Sequence, residues 1–125
     1  MFQALIVEDN APFRQSLREM LREQFPTMGV AEAEDGEDAL EKIEKLSPHL
    51  VFMDIKLPGQ SGLEVTKEIK ARYSGIRVII LTSYDLPEYR EAAKNYGADY
   101  FLSKGSSSRE EIIALVDSIL AESMK

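Results

Sequence analysis

The stretch LVFMDIKLPG, residues 50–59, runs four apolar side chains into an aspartate, a lysine, a proline and a glycine. An apolar run without polar alternation suits a strand buried on both faces of a parallel sheet. Packing gives such a strand no reason to end on a carboxylate, so Asp54 raises a question of chemistry. Working outward, ALIV (4–7) and VIIL (78–81) have the same character, while GVAEA (29–33) and YFL (100–102) are weaker candidates for two further strands.

Between these runs the apolar period becomes helical. Phe13, Leu17, Met20, Leu21 and Phe25 share one helix face, with Asn10 as the cap and Pro12 in the first turn. Ala39, Leu40, Ile43 and Leu46 carry a second helix, opened at the turn EDG (34–36) and closed before Pro48. Ser61 and Glu64 have capping-box spacing and start a third helix through Leu63, Val65 and Ile69 to Tyr73. Asp85 and Glu88 repeat that acidic start, with Tyr89, Ala92, Ala93 and Tyr96 on one face and Gly97 as the stop. Ser107 and Glu110 open the last helix, whose buried side holds Ile112, Leu115, Val116, Ile119 and Leu120. Strand then helix, five times over, predicts an α/β fold with right-handed crossovers and helices on both faces of a parallel sheet. Five units are too few for the eight-fold barrel, which leaves an open, doubly wound sheet.

At 125 residues and 44% hydrophobic composition, residues 1–125 are expected to form one domain with one core. The excess of 22 acidic over 15 basic residues, a net charge of -7, repels a phosphate backbone and argues against direct nucleic-acid binding. With no cysteine there is neither a disulfide framework nor thiolate chemistry, which suits a reducing compartment. The start MFQALIVEDN has no basic leader, and Glu8 and Asp9 end its apolar run early. It reads as neither a signal peptide nor a membrane span, so a cytoplasmic location is expected.

In a doubly wound sheet, ligands bind beyond the carboxyl ends of the strands. Those ends are Glu8 and Asp9, Asp54, Thr82 and Lys104. Singly, each has an ordinary reading as a cap, a turn residue or a solvated charge. Together they place three carboxylates, a hydroxyl and an ammonium along one edge. Clustered carboxylates raise the cost of ionisation, and a cation relieves it. A cluster of oxygen ligands alone suits a hard ion, Mg²⁺ above all. A carboxylate can also attack a phosphoryl group to give an acyl phosphate, a transfer that needs positioning and charge neutralisation more than anything else. Asp54, at the central strand end, is the natural nucleophile, with Thr82 able to donate a hydrogen bond to the transferred group.

The acidic pair at 8 and 9, the strand ending at Asp54 with LPGQSG behind it, ILTSY around Thr82 and GADYFLSK ending at Lys104 resemble the response-regulator receiver domain. The resemblance covers essentially the whole chain. It implies a flavodoxin-like fold with strand order 2-1-3-4-5 and five helices, and phosphorylation by a histidine kinase or histidine phosphotransfer protein. On this likeness Asp54 is the phosphoacceptor, and Glu8, Asp9, Asp54 and the backbone carbonyl of Lys56 hold Mg²⁺. Thr82 is the switch hydroxyl, Phe101 the switch aromatic, and Lys104 the lysine that pairs with the phosphoryl group. Lys56 and Tyr84 stand where the family tunes the lifetime of the phosphorylated state. Such a domain is a signalling switch rather than a turnover enzyme, with self-catalysed phosphotransfer and slow autodephosphorylation. It controls an effector protein or a C-terminal effector domain by changing the surface of the fourth helix, fifth strand and fifth helix. A homodimer through that surface is left open by the sequence.

Gly105 stands where many members have proline, so a cis bond after Lys104 does not transfer, and Phe101 lacks the hydroxyl of a tyrosine. Two other classes fit the residues less well. A haloacid-dehalogenase-type hydrolase needs a second acid two residues after its nucleophile, where this chain has Lys56. A flavin-binding electron carrier needs a phosphate loop after the first strand, where VEDNAPF puts two acids. His49, the only histidine, is expected at a strand entrance away from the site. The ending AESMK falls where the last helix should finish, consistent with a stand-alone receiver or a piece of a longer regulator. If longer, YFLSKGSSSREEI looks most like receivers joined to a helix-turn-helix domain.

Overall fold

A computed structural model describes residues 1–123; the last two residues of the expected 1–125 domain, Met124 and Lys125, lie outside the described residues. Strands and helices alternate as β1 (Gln3–Val7), α1 (Ala11–Gln24), β2 (Gly29–Ala33), α2 (Gly36–Leu46), β3 (Leu50–Met53), α3 (Gly62–Arg72), β4 (Arg77–Thr82), α4 (Pro87–Asn95), β5 (Tyr100–Ser103) and α5 (Arg109–Ser123). The five strands form one sheet in the order β2-β1-β3-β4-β5, all neighbours parallel. This is the doubly wound, flavodoxin-like architecture expected from the alternation and the resemblance.

The apolar runs are continuous because each strand serves two apolar layers, one on each face of the sheet, where the composition alone suggested a single core. Leu5, Val7, Val51, Met53, Val78 and Ile80 face α2, α3 and α4, meeting Ile43, Val65, Ile69 and Ala93. The alternate residues Ala4, Ile6, Leu50, Phe52, Ile79 and Leu81 face α1 and α5, meeting Leu17, Leu21, Val116 and Ile119. Leu115 and Leu120 pack against this second core only half-buried, which narrows the face expected for α5. Among the described residues no helix is long and apolar enough to cross a membrane.

Helix starts match the sequence reading in three cases and differ in two. Asn10 Oδ1 accepts from the Phe13 N–H at 3.0 Å, Asp35 Oδ1 from the Asp38 N–H at 2.8 Å, and Ser61 Oγ from the Leu63 N–H at 3.2 Å. Asp85 does not cap α4. Pro87 takes the first helical position and Leu86 the cap, without a side-chain bond, while the Asp85 carboxylate forms a fork with the Arg90 guanidinium. Proline's fixed φ suits that first position and moves the start past Asp85. At α5 the cap is Ser108, whose Oγ accepts from the Glu111 N–H at 3.1 Å. The Ser107 hydroxyl is engaged elsewhere, accepting from the Ser103 N–H at 3.2 Å.

The loop from β3 to α3 folds back so that Gly62 donates its N–H to the Ile55 carbonyl at 2.8 Å. A Cβ at Gly62 would run into the Asp54 carbonyl oxygen, so only glycine permits this close approach. Gly62→Ala is expected to lower stability by about 1–3 kcal/mol through overpacking, read as a fall in the urea midpoint at unchanged m-value.

Candidate functional site

Backbone geometry places the strand-end residues. The Glu8 N–H donates to Ala33 O at 3.0 Å, the Asp54 N–H to Val7 O at 3.1 Å and the Lys104 N–H to Thr82 O at 2.9 Å. Each residue thus extends the parallel ladder one step past its own strand by bonding the last residue of the neighbouring strand. Their side chains are aimed by the sheet before any contact among them forms.

Those side chains converge. Glu8, Asp9 and Asp54 each offer a carboxylate oxygen within 4.8 Å of the others. Glu8 and Asp54 are only 2% and 7% exposed, while Asp9 is open to solvent. The Lys104 ammonium bonds Glu8 Oε1 and lies 3.4 Å from Asp54 Oδ2. The other oxygens are held by backbone: Glu8 Oε2 accepts from the Asn10 N–H at 3.0 Å, and Asp54 Oδ1 from the Ile55 N–H at 2.8 Å. Burial, reinforced by the charge of Asp54, pushes the Glu8 carboxyl above its ordinary value, and the pull of Lys104 and the Asn10 N–H does not offset it. An all-oxygen donor set with one open carboxylate fits a hard divalent cation that keeps several waters. That ion would supply the positive charge one lysine cannot.

The remaining candidates are placed less uniformly. Thr82 is fully buried, and its Oγ1 accepts from the Tyr84 N–H at 3.3 Å. Phe101 is half-buried on β5 beside Ile80, with the Arg90 guanidinium 4.7 Å from its ring centre. Tyr84 is 43% exposed. The Lys56 side chain leaves the cluster for the Tyr84 and Tyr89 rings, 5.2 and 5.5 Å from their centres. The described residues contain no cis peptide bond, the Lys104–Gly105 junction included. His49 sits at the start of β3, its Nδ1 accepting from the Gln3 N–H at 3.0 Å and its ring stacked on Phe2.

Three neighbours escaped the sequence reading. Phe13, assigned only to the α1 core face, lies 4.3 Å beneath the Lys104 ammonium. Arg14 donates to the Glu8 carbonyl oxygen at 2.6 Å. Tyr89, read as packing, meets Lys56. The one available signal was helical spacing, which puts residues 13 and 14 on the first turn after the acidic pair.

A doubly wound sheet with a lysine and three acids gathered at its carboxyl edge defines an α/β protein whose site lies where such sheets bind ligands. Comparison with known proteins narrows it. The profile of the response regulator receiver domain matches residues 4–117, and the chain belongs to that family. Receiver domains act as phosphoacceptor signalling domains in two-component systems. The chain is 36% identical over 119 residues to the chemotaxis protein CheY of Halobacterium salinarum, covering 95% of this chain and 98% of that one. It is 33% identical over 102 residues to the transcriptional regulatory protein DegU of Brevibacillus brevis, covering 82% of this chain but only 43% of DegU. The crystal structure of the Thermotoga maritima response regulator TrrA, in complex with Mg²⁺-BeF, is 34% identical with a TM-score of 0.84, covering 95% of this chain and 99% of that one.

The raised Glu8 carboxyl has a pH signature. Its stabilising contribution is complete below the ordinary glutamate value and is lost as pH rises through the raised folded value. In chelator, the stability of wild type relative to Glu8→Gln should therefore fall from pH 4 toward pH 8, as followed by urea unfolding. A flat difference would contradict the assignment.

Proposed function

We propose that residues 1–125 form one receiver domain that works as a phosphorylation-activated switch. It accepts a phosphoryl group on Asp54 from a histidine kinase or histidine phosphotransfer protein in a Mg²⁺-dependent reaction. The observation that carries this reading is the convergence of Glu8, Asp9 and Asp54 within 4.8 Å, bridged by Lys104. The TrrA structure in complex with Mg²⁺-BeF supports the choice of ion.

An Asp54 oxygen attacks the donor phosphorus, the P–N bond of the phosphohistidine breaks, and its electron pair leaves with the imidazole. Glu8, Asp9, Asp54 and the Lys56 carbonyl would hold the metal, and its chemistry there would be to supply positive charge against the phosphoryl oxygens. Lys104 transfers its ammonium from the carboxylates to a phosphoryl oxygen. Thr82 donates its hydroxyl hydrogen to another, drawing the loop after β4 with it. Phe101 repacks in response, and the surface of α4, β5 and α5 changes. Lys56 and Tyr84 set how long the acyl phosphate survives slow self-catalysed hydrolysis, Tyr84 by screening it from water.

The switch acts in the cytoplasm and controls either a separate effector protein or a C-terminal effector domain, with a homodimer through the changed surface as one form of output. Both arrangements have a relative: DegU is more than twice as long as the matched region, whereas the halobacterial CheY is almost entirely matched.

Incubation with Mg²⁺ and acetyl phosphate should give a single acid-stable, base-labile phosphoryl adduct by mass spectrometry, absent in Asp54→Asn. An adduct that survives that substitution would overturn the assignment, and continuous phosphate release would mark a hydrolase. Tyr84→Ala is expected to shorten the adduct's half-life several-fold, followed after removal of the donor; an unchanged half-life would refute the screening role.

A further inference from the structure

Two lysines flank the acidic cluster and meet different partners. Lys104 pairs with Glu8 and Asp54. Lys56, two residues past Asp54, instead has its ammonium 5.2 Å from the centre of the Tyr84 ring and 5.5 Å from that of Tyr89, both within cation–π reach. The two rings meet edge to face, with centres 6.2 Å apart and planes at 74°. Each is anchored separately. Tyr89 belongs to the first turn of α4 and packs against the core, while the Tyr84 backbone N–H is bonded to the Thr82 hydroxyl.

One ammonium against three carboxylates leaves the cluster net negative, so it attracts any mobile cation nearby. A lysine on a four-carbon stem two residues away is such a cation. Falling into the cluster, Lys56 would set two ammoniums against the three carboxylates and compete with a metal ion for the same oxygens.

We propose that Tyr84 and Tyr89 are positioning residues for metal binding: their ring faces hold the Lys56 ammonium off Glu8, Asp9 and Asp54 and so keep the cluster open to Mg²⁺. The proposal rests on the reading of this cluster as a Mg²⁺ site. It gives α4 a part in building the site through Tyr89, a residue outside the acidic cluster.

Calorimetric titration of the full chain with Mg²⁺ tests it without any phosphorylation step. Tyr84→Phe/Tyr89→Phe keeps both ring faces and should bind as wild type does. Tyr84→Leu/Tyr89→Leu should weaken binding by about three- to tenfold, the scale of releasing an ammonium from two exposed ring contacts. Tyr84→Leu alone, at an exposed position, should show the same change at smaller amplitude if the double variant folds poorly. Lys56→Met removes a nearby positive charge in any background, so the decisive comparison is between backgrounds: it should tighten binding more in the leucine pair than in the wild type. Equal tightening in both, or a leucine pair that binds like wild type, would overturn the proposal while leaving the Mg²⁺ site intact. A wild-type chain that takes up no Mg²⁺ would overturn both.

Discussion

The carboxyl edge of the sheet depends on one ammonium. Glu8 and Asp54 are removed from water almost completely, and two adjacent carboxylates so placed are costly unless a cation answers them. Lys104 does so from 96 residues beyond the first and 50 beyond the second. Because β3 and β4 lie between β1 and β5, the pairing closes only once those four strands have assembled in order. Phe13 below the ammonium lets the cation rest partly on an aromatic face instead of in water. Electrostatics at the edge and topology of the sheet are therefore two descriptions of the same requirement.

That requirement explains why the core of the site could be read from the chain alone. A parallel strand buried on both faces must be apolar throughout, so the first polar residue after each run marks the edge where neighbouring strands end together. Glu8 and Asp54 follow that rule, and Lys104 comes one residue later, after Ser103, at the end of a weaker run. The structure adds that their own N–H groups continue the ladder by one bond each, which makes strand end and site residue physically the same position. Even the weak strands, GVAEA and YFL, were legible, because the alternation with helices left no other role for them.

What the sequence did not reveal depends on competition between equally plausible partners. Asp85 had the right spacing to cap α4, but Arg90 offered it a two-pronged partner and Pro87 offered the helix another start. Ser107 and Ser108 are adjacent and chemically identical, and only the demand of the Ser103 N–H assigns the cap to the second. The direction of the Lys56 side chain was not legible. Nothing in the order of residues says that its ammonium would prefer two rings to three carboxylates, since the rings come from a loop and a helix some thirty residues further on.

The Thr82 hydroxyl shows how much can hang on a single atom. Its oxygen receives the Tyr84 N–H, which occupies one lone pair and leaves its own proton uncommitted by that bond. The loop after β4 is thus fastened to an oxygen that still has a hydrogen to give. A new acceptor could claim that hydrogen without first breaking the fastening. A side chain of the same shape without the oxygen, such as valine, would fill the same space and connect nothing.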